Sequence, residues 1–176
     1  VCFDIAARGL GLVVVPLNLS DSARTWVEEL AETGAQLLVA GQRAHWTAMS
    51  EQMDRLSKVS RVVCLDNCES RPGRCVNVTD WLPAGTTPTD PEVHAGSLAT
   101  ITYTSGTTGR PKGVMLTQAN MFAAALAPLE KNPGYLEDVF LSFLPMAHIF
   151  ERTTEYYLAI VCGGETVFAR SPDNLP

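Results

Sequence analysis

Four side-chain hydroxyls, two glycines and a lysine crowd into residues 104–112 as Thr104, Ser105, Gly106, Thr107, Thr108, Gly109 and Lys112. A polyphosphate is a dense cluster of anionic oxygens, and it is held by many donors converging at short range. Gly106 and Gly109 let the backbone take positive φ and approach a ligand with no Cβ in the way. Successive N–H groups in such a turn form an anion-binding nest. The hydroxyls of Thr104, Ser105, Thr107 and Thr108 can donate to phosphate oxygens or touch a magnesium ion, and Lys112 adds a compact charge with three donors. Each hydrogen bond to a charged group is worth about 1.5–3 kcal/mol, of which binding costs remove a part. A plain hairpin turn needs only about two to five residues and no such density of hydroxyls.

The run is not the common P-loop, which has four residues between its glycines, then Lys and Ser or Thr, and opens a helix. Here Thr107 and Thr108 alone separate the glycines, Lys112 follows three residues after the second, and residues 113–117 read as strand. The expectation is a phosphate loop slung between two strands, without help from a helix dipole.

A second group with chemical potential is His148. It follows a predicted strand over 139–143, and in open α/β sheets ligands gather beyond the carboxyl ends of strands. A neutral imidazole there can donate or accept a hydrogen bond, or it can simply begin a helix. Glu151 and Arg152 come next. As sequence neighbours on a helix they do not face each other; they read as solvated or helix-end charges, with a partner required if the arginine is buried.

These groups need elements to position them. Residues 12–15, 36–40 and 62–65 are short apolar runs that suit buried strands. Between them, Asp21 or Ser22 can cap a helix with Ala23, Trp26, Val27, Leu30 and Ala31 on one face, and Gly34 is placed to end it. A second helix is expected over 43–56, with Trp46, Met49 and Met53 as a core stripe rather than a ligand surface. This βαβαβ order predicts an α/β fold with mostly parallel sheet. Residues 66–91 form a Pro/Gly-rich connection with a short strand near 76–78 and a helical turn at 80–82. Residues 98–104 are the strand that feeds the loop. Residues 118–127 follow as a helix, capped by Thr117 and ended by Pro128, with Met121, Phe122, Ala125 and Leu126 on its apolar side. Residues 149–161 read as helix and 165–169 as a last strand.

Composition bounds the function. The 176 residues are 46% hydrophobic with a net charge of −6. They form a globular chain with no basic run, which argues against nucleic acid as the main partner. No apolar stretch reaches the roughly 18 residues of a membrane helix, and the start lacks signal-peptide features. Cys64, Cys68 and Cys75 cluster, with His94 further on, but no paired zinc knuckle is present and reduced thiols are the default. The first residue is Val1 and the last six form a turn, so both ends read as cut.

Residues 101–113 resemble the signature of the adenylate-forming (AMP-binding) superfamily: acyl-CoA synthetases, luciferases and peptide-synthetase adenylation domains. The segment Leu144-Pro145-Met146-Ala147-His148-Ile149-Phe150-Glu151-Arg152 is similar to the long-chain fatty-acid–CoA ligase branch, and the apolar run 13–17 with its following helix is also similar. The resemblance implies that residues 1–176 are part of a large N-terminal adenylation domain, with a small C-terminal domain outside them. It implies ATP-dependent formation of an acyl-adenylate from a long-chain fatty acid, then transfer to CoA, with Mg2+ as cofactor. Thr104, Ser105, Gly106, Thr107, Thr108, Gly109 and Lys112 would bind the nucleotide, Thr104 would lie at the metal, and Lys112 and His148 would serve catalysis. The partners implied are small molecules, in a cytoplasmic protein with peripheral membrane contact allowed. The family's later motifs, including its C-terminal lysine, are not in this chain, so the segment alone is expected to be inactive. Gln118 stands where the family often has His, which alters a helix-start contact. Two rival readings remain: an adenylating enzyme for aryl or amino acids, and a non-catalytic nucleotide-binding module.

Overall fold

The computed structural model describes residues 1–66, 74–82, 85, 91–104 and 111–169, leaving out the Met53 side chain. They divide into two compact units. The first holds residues 1–3 and 20–90, the second residues 4–19 and 91–176.

In chain order, helix α1 spans Cys2–Gly9, α2 Ala23–Thr33, strand β1 Leu37–Ala40, α3 Arg43–Ser50, β2 Arg61–Cys64, β3 Cys75–Asn77 and α4 Val78–Trp81. The first unit is built on a parallel sheet in the order β1-β2-β3. Leu38 pairs with Val62 in β2, which in turn pairs with Cys75. Ser22 caps α2 by accepting the Thr25 N–H at 3.2 Å. Gly34 ends the helix at φ 65°, the left-handed region where a Cβ is strained. Trp26, Val27 and Leu30 of α2 are buried, as are Trp46 and Met49 of α3 and Val62, Val63 and Cys64 of β2. Parallel strands covered by helices read as continuous apolar runs, which is why 62–64 were visible as a strand. The Cys64 and Cys75 sulfurs lie 3.3 Å apart as thiols in contact. Cys68 lies outside the described residues.

One buried group in this unit breaks the pattern. Glu29 of α2 is 3% exposed, and neither carboxylate oxygen has a hydrogen-bond partner among the described residues. Burial, with the charges of Asp21 and Glu32 adding to it, pushes its carboxyl up to about 7.

The second unit holds β4 Leu98–Thr104, β5 Lys112–Thr117, α5 Gln118–Leu126, β6 Val139–Ser142, a π-helix over Glu151–Tyr157, α6 Leu158–Cys162 and β7 Glu165–Phe168. β4 and β5 form an antiparallel hairpin, with Tyr103 opposite Gly113 and Thr104 opposite Lys112. Gly113 is required by close approach, because a Cβ there would sit 2.9 Å from Ile101 Cγ2. β6 and β7 pair in parallel. Thr117 caps α5 through a full capping box with Asn120. Ala99, Met121, Ala125, Tyr156 and Tyr157 make the core, with Leu116, Met146 and Ile149 packed against it.

Four expectations are corrected. Residues 12–15 do not form a buried strand. Val14 alone bridges Thr100, while Leu12 and Val13 are exposed. Pro16 has no N–H to extend a ladder, and the third strand of the first unit's sheet is the short β3. The helix expected over 43–56 stops at Ser50, and a short 3-10 turn, Met53–Arg55, follows. Phe122 of α5 is exposed rather than in the core. The helix expected over 149–161 carries a π segment across its middle.

Candidate functional site

The hairpin explains how the suspected phosphate loop is mounted. Thr104 is the last residue of β4 and Lys112 the first of β5, and they are register partners. Directly opposed residues of an antiparallel pair project from the same face, with Cβ atoms about 4.5–5.5 Å apart. A hydroxyl and an ammonium therefore stand side by side where the hairpin opens. Both residues are exposed, and Lys112 has no ion-pair partner among the described residues. Ser105, Gly106, Thr107, Thr108 and Gly109 lie outside the described residues. The next inward position on this strand, Thr102, is 2% exposed, and its hydroxyl has no partner among the described residues.

His148 sits on the turn between β6 and the π-helix. Its N–H donates to the Pro145 carbonyl at 2.8 Å, and its own carbonyl accepts the Arg152 N–H at 3.1 Å. Ring Nδ1 accepts the Phe150 N–H at 3.3 Å. In a neutral ring that contact leaves the proton on Nε2, which is then a donor. The residues flanking His148 anchor it to the core: Met146 and Ile149 pack on the cluster that includes Ala99 of β4, as does Leu116 of β5.

Glu151 and Arg152 point apart, as sequence neighbours on a helix must, and neither is solvated. Glu151 is fully buried; its Oε1 accepts the Ser142 hydroxyl from the end of β6. Its Oε2 has no partner among the described residues. Arg152 is 3% exposed and pairs with Asp4 of α1, Nη2 to Oδ1 at 2.6 Å. The same Nη2 donates to the Tyr157 hydroxyl at 2.7 Å, and that hydroxyl donates to Asp4 Oδ2 at 2.7 Å. Burial raises the Tyr157 phenol to about 12, with Arg152 opposing the rise and Asp4 adding to it. Arg8 stacks its guanidinium 4.3 Å from the Tyr157 ring centroid and donates to Gln118 at 2.8 Å. Gln118 is thus held by an arginine at the start of α5, the contact through which a histidine would differ. Burial pushes the Glu155 carboxyl up, and the Glu151 charge adds to this.

Sequence reasoning singled out Thr104, Lys112 and His148, which stand at the mouth of the hairpin and on the turn after β6. It missed Ser142, Asp4 and Tyr157, whose polar groups hold the helix behind His148. Arg152 was the one available signal, since a buried guanidinium demands an acceptor.

Among the described residues no helix is long and apolar enough to cross a membrane, and no three His, Cys, Asp or Glu side chains gather to hold a metal. The family model described as AMP-binding enzyme matches residues 1–176. The chain is 32% identical over 161 residues to the long-chain-fatty-acid–CoA ligase FadD15 of Mycobacterium bovis, covering 85% of this chain and 26% of that protein. A shorter stretch of 58 residues is 50% identical to the peroxisomal long chain acyl-CoA synthetase 6 of Arabidopsis thaliana, covering 33% of this chain and 8% of that one. Among solved structures, the inhibitor-bound N-terminal domain of FACL13 from Mycobacterium tuberculosis superposes with a TM-score of 0.78 at 25% identity, over 97% of this chain and 41% of that chain. The anthranilate CoA ligase AuaEII, solved with anthranoyl-AMP, shares the fold with a TM-score of 0.77 at 18% identity, over 91% of this chain and 31% of that one. The family match runs from the first residue to the last, and the chain belongs to the AMP-binding enzyme family.

Proposed function

We propose that the protein carrying this chain activates a long-chain fatty acid with ATP and passes the acyl group to CoA. The observation that carries the reading is the pairing of Thr104 with Lys112 across the mouth of the β4–β5 hairpin, in an AMP-binding chain whose relatives include long-chain acyl-CoA synthetases. In the first step a carboxylate oxygen bonds to the α-phosphorus of ATP and the bond to pyrophosphate breaks. In the second, the CoA thiol displaces AMP from the acyl carbon.

Lys112 neutralises charge growing on the departing pyrophosphate, and Thr104 with Ser105, Gly106, Thr107, Thr108 and Gly109 orients the β- and γ-phosphates. Phosphoryl-centred catalysis rests on such positioning and electrostatics. The exposed Thr104 hydroxyl is a hard oxygen donor of the kind Mg2+ prefers, and the ion would supply further neutralisation of the triphosphate. His148 directs its Nε2 toward substrate as a positioning donor; a carboxylic acid is already ionised near neutral pH and needs no base.

The chain spans 26% of the length of FadD15, and residues 1–176 by themselves are proposed not to complete the reaction. Acid-dependent ATP–pyrophosphate exchange by the whole protein, with palmitate, benzoate and an amino-acid panel, tests the substrate class. Exchange is expected with palmitate and not with the others. Activation of aryl or amino acids alone would overturn it, as would nucleotide binding with no AMP formed.

A further inference from the structure

We propose that Glu151 is a positioning residue for His148, an inference that rests on the adenylation reading above. The turn carrying His148 leaves β6 at Ser142 and enters the helix at Ile149, and it is fastened at both ends. Glu151 Oε1 takes the hydroxyl of Ser142, so the last residue of β6 is tied to the first residue of the π segment. Arg152, one residue on, is tied to Asp4 and Tyr157. Its N–H also holds the His148 carbonyl. Between these ties Met146 contributes twice, by packing on the core and by bringing its Sδ 3.8 Å from the Ser142 hydroxyl.

The cost of the device points to a role beyond stability. Glu151 is fully buried, and one of its oxygens is unpaired among the described residues. A neutral or apolar side chain would fill the same space without that penalty. What the acid adds is a charge-assisted, shorter and more directional bond to Ser142. The π segment begins at this residue, and π-bulges recur at functional sites. The side chain is too deeply buried to touch substrate, so it acts through the turn it closes.

A double-mutant cycle in the whole protein tests the assignment, with palmitate-dependent ATP–pyrophosphate exchange as readout and thermal unfolding in parallel. Glu151→Ala is expected to lower kcat about 10- to 100-fold, the cost of misplacing a positioned group, with KM for ATP unchanged. Glu151→Gln keeps an Oε1 acceptor but loses the charge, and should recover only part of the rate. Once His148→Ala is present, adding Glu151→Ala should cost no further kcat. Additive losses, or a Glu151→Ala enzyme as fast as wild type, would overturn the inference and leave the adenylation reading intact. A wild type that exchanges with no long-chain acid overturns the reading and the inference together. If Glu151→Ala fails to fold, Ser142→Ala takes its place in the same cycle with the same expected non-additivity.

Discussion

Helix α2 and the π-helix segment each bury a glutamate in an otherwise apolar setting, and they treat it differently. Glu29 of α2 has no partner for either oxygen among the described residues, and its carboxyl titrates near neutrality. Glu151 receives a hydroxyl, and its neighbour Arg152 enters a closed triangle with Asp4 and Tyr157. Burying a charge is tolerated in two ways: supply partners, or let the group take up a proton. The first unit follows the second way, through an isolated acid. The second unit spends polar side chains from α1, β6 and the π-helix to fix the helix that follows His148.

The contrast can be broken at Arg152 first. Arg152→Ala leaves Asp4 without its cation beside a buried phenol, and it should destabilise the protein by about 3–5 kcal/mol. Chemical denaturation measures this; a loss under 1 kcal/mol, about the value of an exposed pair, would place the triangle among surface contacts. Next in size, Ser142→Ala strips Glu151 of its donor and should cost about 1–3 kcal/mol by the same assay.

At Glu29 the sign reverses. Its folded value of about 7 lies above the ordinary glutamate value of 4.5, so the fold holds a proton that the unfolded chain releases. Stability should therefore be full below pH 4.5 and fall as pH rises toward 7. Glu29→Gln removes that dependence. It should raise the melting midpoint at pH 7.5 by about 2–4 °C and leave it unchanged at pH 4. A lower midpoint at pH 7.5 would mean that the acid has partners after all. The smallest effect is expected at the exposed Arg24–Glu28 pair, where Arg24→Ala should leave the midpoint unmoved.

The two regions were also unequally legible in the sequence. Local signals held: Ser22 and Gly34 bracket α2, Thr117 caps α5, and the strands on both sides of residues 105–111 form the hairpin. Each depends on residues a few positions apart. The site behind His148 depends on distant ones. Asp4 and Arg152 are 148 residues apart, and no periodicity announces their meeting. The π segment was hidden as well, because its apolar spacing over 149–161 is close enough to 3.6 to pass for ordinary helix. Glu151, read as a solvated charge, lies in the interior at the start of that segment. The strand expected at 12–15 is reduced to a single bridge at Val14, two residues before a proline that has no N–H to give a ladder.

The central claim is that the hairpin mouth holds the leaving pyrophosphate of a fatty-acid adenylation. The most direct measurement is palmitate-dependent ATP–pyrophosphate exchange by the whole protein, wild type against Lys112→Ala, with both checked for equal thermal stability. The account predicts exchange in the wild type and a loss of about 100- to 1000-fold in the variant, the usual cost of removing one group that stabilises developing charge. A Lys112→Ala protein that exchanges at the wild-type rate would contradict it.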